Sequence, residues 1–104
     1  MIDARNVLRS LWPNIPERRL VELARAWCVR ERVQPLLVFD GRAPVDAADV
    51  VATGGESADD WIAREAQLHA PYWLVTSDRE LRRRAGGAAE RVIGGGSFAR
   101  TVTR

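Results

Sequence analysis

The chain has 104 residues, a net charge of +2 and 46% hydrophobic content, enough for one domain with one core. Its single cysteine, Cys28, excludes an internal disulfide, and its single histidine, His69, excludes a His/Cys zinc cluster within the chain. No apolar run is long enough to span a bilayer and no secretory leader pattern opens the sequence, so the reading is a cytoplasmic protein without membrane contact.

All sixteen cationic residues are arginine. The absence of lysine excludes a P-loop and argues against a receiver domain, which places a lysine beside its aspartates. Arginine's planar fork suits phosphate oxygens, although codon usage accounts for an arginine bias equally well.

Taken in chain order, Met1-Ile2-Asp3 reads as a clipped first strand ending in a carboxylate. Arg5, Asn6, Val7, Leu8 and Leu11 follow, before the Trp12-Pro13-Asn14 break. Pro16 suits the first turn of a helix. Leu20, Leu23, Ala24, Trp27 and Cys28 then recur at the spacing of one buried helical face. Trp27 and Cys28 are therefore read as core. Gln34-Pro35 stops this helix. Leu36-Leu37-Val38-Phe39 is an unbroken apolar run, as expected of a strand covered on both faces, and Asp40-Gly41-Arg42 turns the chain.

Residues 43–49 read as loop and Val50-Val51-Ala52 as a short strand. In Thr53-Gly54-Gly55-Glu56-Ser57-Ala58-Asp59-Asp60-Trp61-Ile62 two glycines end that strand and Ser57 caps a helix. Its first turn carries Asp59 and Asp60, a position the helix dipole favours for acids in any case. This helix turns Ala58, Trp61, Ile62 and Ala66 inward and runs to about His69, before Pro71. Tyr72-Trp73-Leu74-Val75 is the next strand, and Ser77 or Asp78 caps a basic helix from Arg79 to Ala85. Arg91-Val92-Ile93 reads as a last strand, Gly94-Gly95-Gly96 as a flexible loop, and Ser97 as the cap of a terminal helix. Trp12, Trp61 and Trp73 are read as core residues, Trp12 being the least securely placed. Strands alternating with helices argue for a single α/β domain over residues 1–104 with a mainly parallel sheet.

Asp3, Asp40, Asp59 and Asp78 each follow a strand or open the next helix, and in such a fold those positions share one rim. Clustered carboxylates resist ionisation unless a cation is present. With only oxygen ligands to offer, the set points to magnesium or manganese, and such an ion activates water for attack on a phosphodiester. Asp60 stands next to that set, about 100° round the helix from Asp59. Asn6 is placed to contact phosphate or to hold Asp3. Thr76 and Ser77 are placed to orient Asp78 or to touch phosphate. Arg79, Arg82, Arg83 and Arg84 would track a nucleic-acid backbone or simply form a solvated helix face. Glu56 either joins the acids or assists the cap, and His69 reads as a surface residue.

Asp3-Ala4-Arg5-Asn6, Val38-Phe39-Asp40-Gly41, Gly55-Glu56-Ser57-Ala58-Asp59-Asp60-Trp61-Ile62 and Thr76-Ser77-Asp78-Arg79-Glu80-Leu81, in that order, resemble the NYN domains, specifically the YacP-like branch of the PIN-like nuclease superfamily. Arg91-Val92-Ile93 followed by Ser97-Phe98 is similar to that branch's ending, so the resemblance spans nearly the whole chain. It implies a Rossmann-like, three-layer α/β/α sandwich and Mg2+ or Mn2+ at an acidic site. It also implies RNA cleavage leaving a 5′-phosphate, in a ribosomal context or outside one. By position, Asp3, Asp59 and Asp78 match the main acidic residues, Asp40 the aspartate after the second strand and Asn6 the asparagine after the first. Arg5, Thr76, Ser77 and Arg79 are the expected substrate contacts, and Asp60 a further metal ligand. The family opens with a longer strand and an Asp-Gly-Tyr-Asn-like sequence, where this chain has Ala4 and Arg5 in place of the glycine and tyrosine. A catalytically silent RNA- or ribosome-binding module is the alternative. A phosphohydrolase of the haloacid dehalogenase type is the weaker competitor, because it expects an aspartate at position 42, which is arginine.

Overall fold

The computed structural model describes residues 1–11 and 13–104, so the expectation for Trp12 lies outside the described residues. Five strands form one sheet: β1 (Ile2–Asp3), β2 (Leu37–Phe39), β3 (Val50–Ala52), β4 (Trp73–Val75) and β5 (Arg91–Ile93). Their order is β3-β2-β1-β4-β5 and every pairing is parallel. Five α-helices connect and flank them: α1 (Ala4–Arg9), α2 (Glu17–Glu31), α3 (Ala58–Glu65), α4 (Arg79–Ala85) and α5 (Gly95–Val102).

Alternation along the strands divides the core in two. Ile2, Leu37, Phe39 and Val75 pack with Val7 of α1, Leu20, Ala24, Trp27 and Cys28 of α2, and Phe98 and Val102 of α5. Val38 and Leu74 point the other way, against Ala58 and Ile62 of α3 and Leu81 and Ala85 of α4. The result is the expected three-layer, Rossmann-like sandwich. Trp27 sits at the centre of the first layer, edge-on to Trp73 and Phe98 with ring centroids 5.9 and 5.1 Å away. Trp61 and Trp73 are half-buried against the two cores.

Although β1 is only two residues long, it is the central strand, with Ile2 aligned to Leu37 on one side and to Val75 on the other. The chain leaves β1 in one direction through α1 and α2, then returns from β3 past β1 to β4 through α3 on the opposite face. Direction and face reverse together, so the crossovers keep one hand. The reversal makes the gap between β1 and β4 the topological switch point, where open α/β sheets bind ligands beyond the carboxyl ends of the strands.

Two local expectations are corrected. Gly94–Gly96 is not a loop: Gly94 is the N-cap, and Gly95 and Gly96 are the first residues of α5. The helix starts early because the Gly95 N–H donates to Ser77 Oγ at 2.8 Å and Phe98 N–H to the Gly94 carbonyl at 2.9 Å. Ser97 thus lies inside the helix and does not cap it. The helix from Ser57 is α-helical only to Glu65, and Ala66–Leu68 continue as a 3-10 turn. No helix among the described residues is long and apolar enough to cross a membrane.

Candidate active site at the carboxyl rim of the sheet

Because all five strands are parallel, Asp3, Asp40, Thr53, Thr76 and Gly94 emerge on the same rim. Two loops there are tied together first. Gly41 and Gly54 adopt positive φ, 78° and 69°, which a side chain would strain. Gly54 N–H then reaches the Gly41 carbonyl at 3.0 Å, while Thr53 Oγ1 accepts from Gly41 N–H and donates to the Glu56 carbonyl. This fixes Asp40 beside the start of α3. Ser57 Oγ caps α3 by accepting from Asp60 N–H at 3.1 Å, and Asp59 follows from the cap geometry.

The switch point is bridged by side chains. Asp3 is 3% exposed and Thr76 fully buried. The Thr76 hydroxyl donates to Asp3 Oδ2 at 3.0 Å and accepts from Asp78 N–H at 3.1 Å, so one hydroxyl links the ends of β1 and β4 to the third acid. Asp78, not Ser77, caps α4, with Oδ1 accepting from Leu81 N–H at 2.9 Å. Asn6 Oδ1 accepts from Ser77 N–H at 2.8 Å, and Ser77 Oγ in turn accepts from Gly95 N–H. Asn6 therefore holds the β4–α4 turn and has no bond to Asp3. Arg82 Nε donates to the Thr76 carbonyl at 2.9 Å from the other side.

Electrostatics group the same residues. Burial pushes the Asp3 carboxyl up to about 6; the Thr76 hydrogen bond and Arg9 oppose this, and the charges of Asp59 and Asp78 add to it. The Asp59 carboxyl is also raised, by burial first and then by Asp78, Asp40 and Asp60, against the pull of Arg84. Asp59 and Asp78 thus act on Asp3, and Asp78 and Asp40 act on Asp59. Among the described residues, no three His, Cys, Asp or Glu side chains are drawn close enough together to hold an ion as they stand. The donor chemistry nevertheless fits a hard divalent cation: the set is all carboxylate oxygen, and the repulsion that adds to burial in raising Asp3 and Asp59 is what such an ion relieves.

Three expected site residues are occupied elsewhere. Asp60 is paired with Arg84 of α4 at 2.8 Å and lowered by it, in an exposed position. Glu56 is paired with Arg64. The expectation of Arg5 as a substrate contact is corrected, because its guanidinium is a strut. Nε donates to the Asp40 carbonyl and Nη2 to the Arg42 carbonyl, both at 3.1 Å, and Nη1 to Glu17 at 2.6 Å. Its guanidinium carbon lies 5.9 Å from the Phe39 ring centroid. Arg5→Ala is expected to lower stability by about 1 kcal/mol, these bonds being half-exposed. It should also speed amide exchange at Gly41 and Arg42; unaltered melting and exchange would remove the strut. Arg79 is exposed in the first turn of α4, at the rim.

Two contributors carried no signal in the sequence: Arg9, whose charge acts on Asp3, and the pairing that directs Arg84 toward α3. Both depend on which helix turns meet in space, which spacing along the chain does not encode. A cavity of about 540 Å³ lies elsewhere, at the amino ends of the strands. Trp27, Leu36, Tyr72 and Trp73 line it with His69, and it contains none of the rim carboxylates. The raised carboxyls of Asp3 and Asp59 beside the switch point mark the carboxyl rim as the better candidate. The chain matches no protein-family model, no curated protein and no solved structure, so its own residues are what describe this site.

Proposed function

We propose that the chain is a metal-dependent ribonuclease of the NYN type, in the YacP-like branch of the PIN-like superfamily, cleaving RNA phosphodiesters endonucleolytically at the carboxyl rim. The observation that carries this reading is a buried Asp3 at the β1/β4 switch point, its carboxyl raised to about 6 in the field of Asp59 and Asp78. Asp3, Asp59 and Asp78 would hold Mg2+ or Mn2+, with Asp40 as a further carboxylate beside them. When bound, such an ion supplies charge neutralisation and the activation of water at neutral pH.

The chain's own residues do the rest. Thr76 keeps the Asp3 carboxylate in one orientation, and the α4 cap does the same for Asp78. Asn6 fixes the Ser77 turn through its oxygen, which leaves its amide nitrogen for a phosphate oxygen. Arg79 at the mouth would meet the RNA backbone, whose contacts are charge-driven and salt-sensitive. The setting for such an enzyme is the cytoplasm, with RNA alone or on the ribosome as the substrate.

The test is cleavage of labelled single-stranded and structured RNA with manganese, with magnesium and with EDTA. Cleavage is expected with either metal and is abolished by EDTA. Asp59→Asn, purified in parallel against a contaminating nuclease, is expected to lose about a hundredfold in rate with its circular dichroism unchanged. The second reading, a silent RNA- or ribosome-binding module, is favoured by one observation: the acids do not close around a single point. Salt-sensitive RNA binding with no turnover in either metal would establish it instead.

A further inference from the structure

We propose that Arg84 is the rim's own counter-cation and competes with a divalent ion for the field of Asp59. The inference rests on the metal-binding reading above and concerns how that site is regulated.

The four arginines of α4 have different neighbours. Arg83 is paired with Glu80 on its own helix and is 72% exposed. Arg82 is bonded through Nε to the Thr76 carbonyl. Arg79 stands at the helix start, next to the Asp78 cap. Only Arg84 crosses to α3, where Nη1 donates to Asp60 Oδ1 at 2.8 Å, and its side chain is 34% exposed. Asp60 and Asp59 are consecutive in the first turn of α3, so a guanidinium held by the one is fixed within the field of the other.

An arginine keeps its charge at any physiological pH, so this countercharge is permanent and only movement or substitution removes it. With it in place, part of the repulsion that would favour a divalent ion is already relieved. A cation approaching Asp59 meets a fixed positive charge. Asp60, at 61% exposure, is a partner from which the guanidinium can depart at small cost. Arg84 is thus a positioning residue for Asp59, acting through charge.

The test is Mn2+ binding to the full chain, read from the electron paramagnetic resonance signal of free Mn2+ and needing no turnover. Arg84→Gln is expected to tighten Mn2+ binding about threefold to tenfold, because one fixed positive charge beside the ion is removed. Arg83→Gln makes the same change in net charge on the same helix and should shift binding by less than about twofold, its charge being solvated. Arg84→Lys, which keeps the charge, should bind like the unaltered chain. Near-ultraviolet circular dichroism of the tryptophans checks that each variant is folded. Equal shifts for Arg84→Gln and Arg83→Gln, or weaker binding in Arg84→Gln, overturn the inference while leaving the metal site standing. Absence of Mn2+ binding by every variant, the unaltered chain included, overturns both.

Discussion

Asp3→Asn is expected to abolish metal-dependent RNA cleavage and, at the same time, to make the protein more stable at neutral pH. The loss of activity should be roughly a thousandfold, the upper order seen when a fixed group facing developing charge is removed. The gain in stability follows from where the carboxylate sits. Its carboxyl is raised from an ordinary 3.8 to about 6 in the folded chain, chiefly by burial. A raised acid favours folding while it is protonated. That contribution is fully present below the unfolded value and is lost as pH climbs through the folded one. Between about pH 4 and pH 6 the unaltered chain should therefore lose about 3 kcal/mol, two pH units at about 1.4 kcal/mol each. Asparagine has no proton to lose and can still accept the Thr76 hydrogen bond through its amide oxygen. Asp3→Asn should melt about 10 °C or more above the unaltered chain at pH 7.5, with the two melting points converging near pH 4. Mn2+ should raise the melting point of the unaltered chain, as any ligand of the native state does, and leave that of Asp3→Asn nearly unmoved. Melting points that stay equal across this pH range would mean that Asp3 is hydrated in the folded protein and would remove its special place in the site.

How much of this was legible in the sequence depends on the length scale of the interaction concerned. Leu37-Val38-Phe39 and Trp73-Leu74-Val75 were readable as strands because residues facing either layer are apolar, so the run has no polar gap. Asp3, Asp40 and Asp78 were readable because each follows such a run, and Asp59 because it opens the helix after β3; in a parallel sheet every strand ends on the same rim. α1 was not legible as a helix, since Arg5 and Asn6 look like loop residues until their partners are known. Arg5 reaches the Asp40 and Arg42 carbonyls 35 and 37 positions away, and Asn6 reaches Ser77 N–H 71 positions away. Arg84 likewise meets Asp60 across 24 residues. A residue type suited to phosphate, as arginine is, suits a backbone carbonyl equally well, and only the fold decides which it meets. Gly94–Gly96 misled for a related reason. Three glycines are locally a loop, yet at Gly95 the small residue is needed because the Asn6 side chain occupies the space a Cβ would take.

That space sets the second large effect. A Cβ added to Gly95 would stand far inside contact distance of Asn6 Oδ1. The obstructing atom ends a side chain, but it is not free to swing aside, because it accepts the Ser77 N–H bond at 2.8 Å. Gly95→Ala must therefore break that bond, push α5 outward, or both, and Gly95 N–H is itself tied to Ser77 Oγ. Alanine's better helix propensity offsets about 1 kcal/mol of this, and the overpacking and lost hydrogen bond outweigh it. The net expectation is a loss of about 2 kcal/mol, read as a drop of roughly 10 °C in melting temperature. A double-mutant cycle identifies the cause. Asn6→Ala removes the obstructing oxygen at its own cost, and Gly95→Ala added to it should then cost nothing or slightly stabilise. Additive losses would mean that the glycine is required by the backbone and not by Asn6. The cycle also bears on the active rim, since the Ser77 turn that Asn6 and Gly95 hold between them leads directly into Asp78. Gly95→Ala should lower the cleavage rate even well below its melting temperature, and the double variant should not recover it, because only the asparagine restores the Ser77 bond that sets where the third carboxylate stands.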